Sequence, residues 1–148
     1  NVPEPELTLV ISPDLRIVGY TVGNDVSSRD IEGENPLYLP QAKVYHGSCA
    51  IGPVVTLLGG IPKLTDCEIR LIIRRKKQVM FDGSTTISHM NRTPEELVEW
   101  LGKDNQFPHG AMLMTGTGIV PPDAFSLSSG DVVDISITGI GTLTNPVA

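Results

Sequence analysis

Leu7-Thr8-Leu9-Val10-Ile11, Ser12-Pro13-Asp14 and Arg16-Ile17-Val18-Gly19-Tyr20-Thr21-Val22 form the stretch on which the reading of the fold turns. The first five residues are apolar or β-branched and read as a strand. Ser-Pro-Asp is turn chemistry, because Pro presets φ and Ser and Asp bond their own backbone. Residues 16–22 then read as the antiparallel partner, so the chain opens with a β-hairpin. Outward from the hairpin, residues 67–75 and 78–81 read as two more strands, and 111–115 and 132–138 as strands around Gly-rich turns. Residues 140–147 form a short closing segment. The 15 glycines and 12 prolines agree with many turns and short strands, and they argue against long helices. One helix is well specified over residues 93–101. Thr93 is its N-cap candidate, Pro94 its first helical residue, and Glu96 completes a capping box. Leu97, Val98 and Leu101 supply its apolar stripe. Residues 26–48 carry few strand signals and read as a long irregular segment, which inside a compact domain usually has a function.

The length, 148 residues, suits one domain. A chain that is 40% apolar and 19% charged is not a disordered tail. No apolar run reaches the roughly 20 residues of a spanning helix, so no membrane association is expected. The net charge of −6 and the short basic run Arg74-Arg75-Lys76-Lys77 argue against nucleic acid as a partner. Cys49 and Cys67 have no zinc or redox spacing and read as two buried thiols in a reducing cytoplasm. His46, His89 and His109 have no metal-ligand spacing and read as surface or internally satisfied residues. The chain starts at Asn1 without a Met and enters an apolar run at once, and it reads as the C-terminal half of a longer protein.

Several residues carry candidate chemistry. In Glu4-Pro5-Glu6 the two carboxylates lie two apart and project from the same face of an extended strand. They are either edge-strand carboxylates in solvent or a pair held together by a cation or a basic side chain. Asp25 follows the second strand, and the hairpin can bring it back beside Glu4 and Glu6. Three carboxylates there make a hard, oxygen-rich cage suited to Mg²⁺, Mn²⁺ or Ca²⁺ rather than zinc. Taken alone, Asp25 is a turn residue in Gly23-Asn24-Asp25. Arg29 is either a clamp for a substrate carboxylate or the partner of Asp30 or Glu34. Lys43, alone in an apolar stretch, either snorkels to water or faces a substrate. Gly116-Thr117-Gly118 is either an anion-binding turn or a plain one.

Glu4-x-Glu6, the run Gly19-Tyr20-Thr21-Val22-Gly23-Asn24-Asp25-Val26-Ser27-Ser28-Arg29-Asp30, Ala42-Lys43 and Ile51-Gly52-Pro53 together resemble the fumarylacetoacetate hydrolase superfamily. Thr115-Gly116-Thr117, Gly130-Asp131 and Ile140-Gly141-Thr142-Leu143 extend the resemblance, in order, over nearly the whole chain. Residues 32–43, EGENPLYLPQAK, are most similar to the 2-keto-3-deoxy-D-arabinonate dehydratase branch. Two departures from the hydrolase pattern stand out. Glu32 replaces a frequent Gln, and Thr115-Gly116-Thr117-Gly118-Ile119-Val120 replaces the usual T-G-T-P-x-G-V-G.

The resemblance implies a mainly β fold, a mixed β-sandwich or β-roll of the C-terminal domain type with one or two short helices. It implies one divalent cation, Mg²⁺ with Ca²⁺ or Mn²⁺ as alternatives, on Glu4, Glu6 and Asp25. It gives Lys43 a catalytic role and places Arg29, Glu32 and Thr117 against the substrate. The substrate class is a small-molecule 2-keto acid, and the reaction implied is dehydration of 2-keto-3-deoxy-D-arabinonate to 2,5-dioxopentanoate by a hydro-lyase. Hydrolysis of a C–C bond in an acylpyruvate is the alternative enzyme. A non-catalytic metal and carboxylate binder is the alternative of another class. A Schiff base on Lys43 ranks below the metal route. The resemblance further implies a homodimer or homotetramer and an acid–base residue upstream of the Glu4-x-Glu6 strand.

Overall fold

The computed structural model describes residues 1–61 and 63–148. Strand β1 (Pro5–Ile11) and strand β2 (Ile17–Asp25) form the expected hairpin, with Glu6 opposite Gly23 and Leu9 opposite Tyr20. The turn closes through Ser12, whose backbone N–H donates to Arg16 O at 2.9 Å. On the other side of β1 lies β6 (Ala111–Met114), and beyond β2 lies β3 (Cys49–Leu57), giving the order β3-β2-β1-β6. A second four-stranded sheet has the order β5-β4-β7-β8, from β4 (Glu68–Arg75), β5 (Gln78–Thr86), β7 (Asp131–Ile137) and β8 (Gly141–Pro146). All pairings among the named strands are antiparallel.

The core lies between the two sheets. Leu7, Leu9, Ile11 and Val22 face Leu71, Ile73, Val133 and Ile135, all almost fully buried. Period-two alternation explains this: β7 reads Asp131-Val132-Val133-Asp134-Ile135-Ser136-Ile137, and every other residue is buried. The same alternation turns Glu6 and Thr8 of β1, and Glu4 just before it, to the face opposite Leu7 and Leu9. Burying one Leu or Ile side chain contributes about 2 kcal/mol, so these two inner faces dominate the folding energy.

The helix α3 (Pro94–Gly102) forms as its caps direct. Thr93 Oγ1 accepts from the Glu96 N–H at 3.2 Å, and Glu96 Oε2 accepts from the Thr93 N–H at 2.7 Å. Val98 is its buried anchor.

Four features depart from the sequence expectations. Residues 26–48 are not irregular throughout: they contain α1 (Arg29–Glu34), a 3-10 turn (Pro36–Tyr38) and α2 (Leu39–Lys43). So the described residues hold three short α-helices rather than one or two. Asn35 starts the 3-10 turn by accepting from the Leu37 N–H at 3.0 Å, and the prolines sit at first-turn positions where no donor is needed. Strand β3 is missing from the expectations because Gly52 and Pro53 interrupt its pattern and its apolar residues do not alternate with polar ones. Strand β5 continues through the polar residues Asp82 to Thr86, held by backbone pairing to β4. Cys67 is buried as expected, but Cys49 is exposed, because it begins the edge strand β3.

The basic run has a structural role. Arg74 pairs with Asp134, and Arg75 forks onto Asp131 at 2.7 and 2.8 Å. Lys76 and Lys77 form the tight turn between β4 and β5 with positive φ. Among the described residues, no helix is long and apolar enough to cross a membrane. His46, His89 and His109 are exposed, the first of the two alternatives read for them.

Candidate active site

Antiparallel pairing brings the three carboxylates together. Asp25 donates its backbone N–H to Glu4 O at 3.0 Å, so Glu4 and Asp25 are neighbours across the hairpin end away from the turn. Side chains of directly opposed residues share a face, which adds Glu6 from the next outward-facing position. One carboxylate oxygen from each of Glu4, Glu6 and Asp25 lies within 4.8 Å of the others.

Burial and mutual repulsion act on this cluster. Glu6 is almost fully buried, and burial, with added repulsion from Asp25 and Glu4, pushes its carboxyl up to about 7. The Gly116 N–H opposes this by donating to Glu6 Oε2 at 2.6 Å. Burial also raises Asp25, and Lys43 partly offsets it.

Lys43 lies at the last residue of α2 and reaches into the cluster. Its ammonium donates to Glu4 Oε2 at 2.7 Å and to Ser27 Oγ at 2.6 Å, and lies 3.4 Å from Asp25 Oδ2. Burial alone would lower its pKa; the hydrogen bond and charge of Glu4 and the charge of Asp25 outweigh that and hold it above the usual lysine range. Lys43 therefore does not snorkel away from the fold. It is the cationic wall of the carboxylate cluster.

Three carboxylates and one ammonium leave two surplus negative charges when all are ionised. In a partly buried site that surplus is costly unless a cation balances it. The donors are all carboxylate oxygen. Charge, hardness and spacing together fit a divalent ion such as Mg²⁺, Ca²⁺ or Mn²⁺ on Glu4, Glu6 and Asp25.

The other predicted residues are placed differently. Thr117 follows Gly116, whose φ of +88° lets the chain turn beside Glu6. The Thr117 hydroxyl donates to Ile119 O at 2.9 Å and accepts from the Ile119 N–H at 3.3 Å, which braces the turn. The Gly116–Gly118 turn also lines a cleft of about 280 Å³ with Thr85, His89 and Arg92. Glu32 is half-buried on α1 and makes no side-chain hydrogen bond or ion pair among the described residues. Arg29 forms no ion pair with Asp30 or Glu34. Its guanidinium donates to Pro121 O at 2.8 Å and to Pro122 O at 3.2 Å, with Asp123 Oδ1 3.8 Å away.

One contributor escaped the sequence reading. Ser27 is fully buried and holds Lys43 by its hydroxyl. The Gly116–Gly118 turn, read from the sequence as anion-binding or plain, donates its Gly116 N–H to the Glu6 carboxylate. The only sequence signal for Ser27 is its place two residues after Asp25.

Residues 4–148 match the family described as fumarylacetoacetate (FAA) hydrolase, C-terminal, and the chain belongs to that family. It is 51% identical over 147 residues to a protein of Haloferax volcanii named probable 2-keto-3-deoxyxylonate dehydratase, covering 99% of this chain and 50% of that protein. It is 47% identical to the 2-dehydro-3-deoxy-D-arabinonate dehydratase of Saccharolobus solfataricus, covering 99% of this chain and 49% of the relative. A solved structure described as 2-keto-3-deoxy-D-arabinonate dehydratase complexed with magnesium and 2,5-dioxopentanoate superposes with a TM-score of 0.95 at 47% identity, covering 98% of this chain and 52% of that one. The chain thus spans about half the length of the curated relatives it matches.

Proposed function

We propose that the protein is a Mg²⁺-dependent hydro-lyase that dehydrates a 2-keto-3-deoxy sugar acid, with 2-keto-3-deoxy-D-arabinonate as substrate and 2,5-dioxopentanoate as product. The observation that carries this reading is the cluster of Glu4, Glu6 and Asp25 with Lys43 bonded into it. The two dehydratase relatives and the solved complex with magnesium and 2,5-dioxopentanoate support the choice of substrate.

The reaction removes a proton from C3 and the hydroxyl from C4. The unsaturated 2-keto acid that remains isomerises to 2,5-dioxopentanoate, so one water leaves overall. Glu4, Glu6 and Asp25 hold the cation, which when bound supplies the Lewis acid that polarises a 2-keto acid and acidifies C3. Lys43 places a positive charge beside the keto oxygen as negative charge develops there, and it is poised to pass a proton. Its two acidic neighbours keep it an ammonium, which disfavours the free amine a Schiff base requires. Ser27 fixes the Lys43 Nζ position. Thr117 offers a hydroxyl to the substrate carboxylate, and Glu32 faces the sugar end from α1.

The same reading takes the protein to be cytoplasmic and a homodimer or homotetramer. Two free cysteines support the first. The exposed apolar side chains of Ile51, Val54, Val55 and Leu57 on strand β3 support the second.

The test is incubation of the full-length protein with Mg²⁺ and 2-keto-3-deoxy-D-arabinonate in D₂O, followed by proton NMR. Growth of 2,5-dioxopentanoate that stops on chelation is the expected result. Deuterium entering C3 without dehydration would retain the enolate chemistry and remove the dehydratase. No change with the sugar acid, and cleavage of an acylpyruvate, would replace it with a C–C hydrolase.

A further inference from the structure

The contacts around the carboxylate cluster form a closed circuit. Gly116 is bonded to Glu6 at 2.6 Å. Five and six residues later, Pro121 O and Pro122 O accept from Arg29 at 2.8 and 3.2 Å. Arg29 opens α1, and its neighbour Ser28 donates its N–H to Ala42 O at 2.9 Å. Ala42 is fully buried and precedes Lys43, which returns to Glu4 and Asp25. Thus the loop that bears Thr117 and the helical segment that bears Glu32 and Lys43 meet at one side chain.

We propose that Arg29 is a positioning residue, a clasp that ties the Gly116–Pro122 loop to the α1–α2 segment so that Thr117 and Lys43 keep a fixed separation across the site. It is not the clamp for the substrate carboxylate. Three physical points support this. The planar fork suits two carbonyls side by side, which one ammonium would not bridge as well. Pro121 and Pro122 themselves lack N–H groups, so these two residues are anchored only through their carbonyls, and Pro122 O also accepts from the Phe125 N–H at 2.8 Å. The α1–α2 segment packs mostly on itself and has Ala42 as its one buried residue among the two helices, so it needs an anchor to hold its geometry. Misplacing a catalytic group by about 1 Å can lower a rate by about a hundredfold, so a clasp remote from the reacting atoms has kinetic weight.

The roles of Thr117 and Lys43 in this inference rest on the proposed dehydratase, but the clasp itself is testable without turnover. The experiment is amide hydrogen exchange on the full-length protein and its Arg29→Met and Arg29→Lys variants. Three bonded amides report the circuit: Gly116, Ile119 and Glu32. A clasp predicts exchange about tenfold faster or more at all three in Arg29→Met, a smaller increase in Arg29→Lys, and no change at Leu71 or Ile135 in the core. Unchanged exchange at Gly116 and Ile119 would overturn the proposal whatever the activity. If Arg29→Met does not fold, Arg29→Lys carries the same comparison.

A kinetic cycle separates clasp from clamp. If Arg29 acts through the Thr117 loop, Arg29→Met combined with Thr117→Val lowers kcat/KM little further than the worse single variant. If Arg29 touches the substrate itself, the two losses multiply, and the clasp is overturned. Absence of dehydratase turnover with faster exchange would remove the proposed reaction and leave the clasp standing.

Discussion

Lys43 Nζ lies 2.7 Å from Glu4 Oε2 and 3.4 Å from Asp25 Oδ2, so one ammonium bridges two of the three clustered carboxylates. The cation and Lys43 therefore draw on the same oxygens. Lys43→Met removes a competing positive charge, and Mg²⁺ binding should tighten about fivefold or more by isothermal titration. Turnover should fall in the same variant by about a hundredfold or more with little change in KM. A loss confined to KM would reduce Lys43 to a substrate-binding role.

Asp25 closes the cluster from the second strand of the hairpin. Asp25→Asn keeps its shape and removes its charge, and Mg²⁺ affinity should drop at least about tenfold. Calorimetry on the purified variant reads this directly. Unchanged affinity would take Asp25 out of the ligand set.

Glu6 sets the pH dependence. Its carboxyl titrates near 7, well above the usual glutamate range, chiefly because it is buried. A cation must displace that proton, so Mg²⁺ affinity should be level above pH 7 and fall about tenfold per unit below it. Stability without the cation has the opposite slope. Between the usual glutamate pKa and about 7 the folded chain binds a proton that the unfolded chain does not, so this contribution is lost as pH rises through 7. Thermal melts with and without Mg²⁺ from pH 5 to 8 should diverge as pH rises.

Asp131 opens strand β7 from a fully buried position. It accepts from both nitrogens of the Arg75 fork and from the Ser128 N–H at 2.9 Å. The Arg75 bond foremost holds its carboxyl below the usual range. Its contribution is present above the ordinary aspartate pKa of about 4 and is lost as pH falls through the lower folded value. Asp131→Ala removes the Arg75 ion pair, leaves Arg75 only its bond to Ser126 O and the Ser128 N–H without its acceptor, and should cost about 2 kcal/mol in a urea melt at pH 7. A shift below about 0.5 kcal/mol would mean that water replaces the carboxylate without penalty.

Local chemistry made much of the fold and site legible. The β1–β2 hairpin follows from one apolar run, one Ser-Pro-Asp turn and a second β-branched run. Two-residue periodicity alone places Glu4 and Glu6 on one face, and antiparallel return brings Asp25 to them. The capping box at Thr93 and Glu96 starts α3 in the position expected. Each of these depends on residues near in sequence or on one short hairpin, so no distant partner is needed to read them.

Where distant segments meet, tertiary structure decides. Strand β3 exists because β2 offers it a paired edge, although Gly52-Pro53 breaks its local pattern. Cys49 is exposed because that strand lies at the sheet border. Arg29 finds its carbonyl partners 92 and 93 residues away, where an ion pair with Asp30 or Glu34 was the local alternative. Gly116 reaches Glu6 across 110 residues through a backbone N–H common to almost every amino acid. Side-chain type and spacing encode which groups can share a strand face. Backbone donors and acceptors carry no such signature, so the contacts that close the site arise only when the two sheets and their loops are packed together.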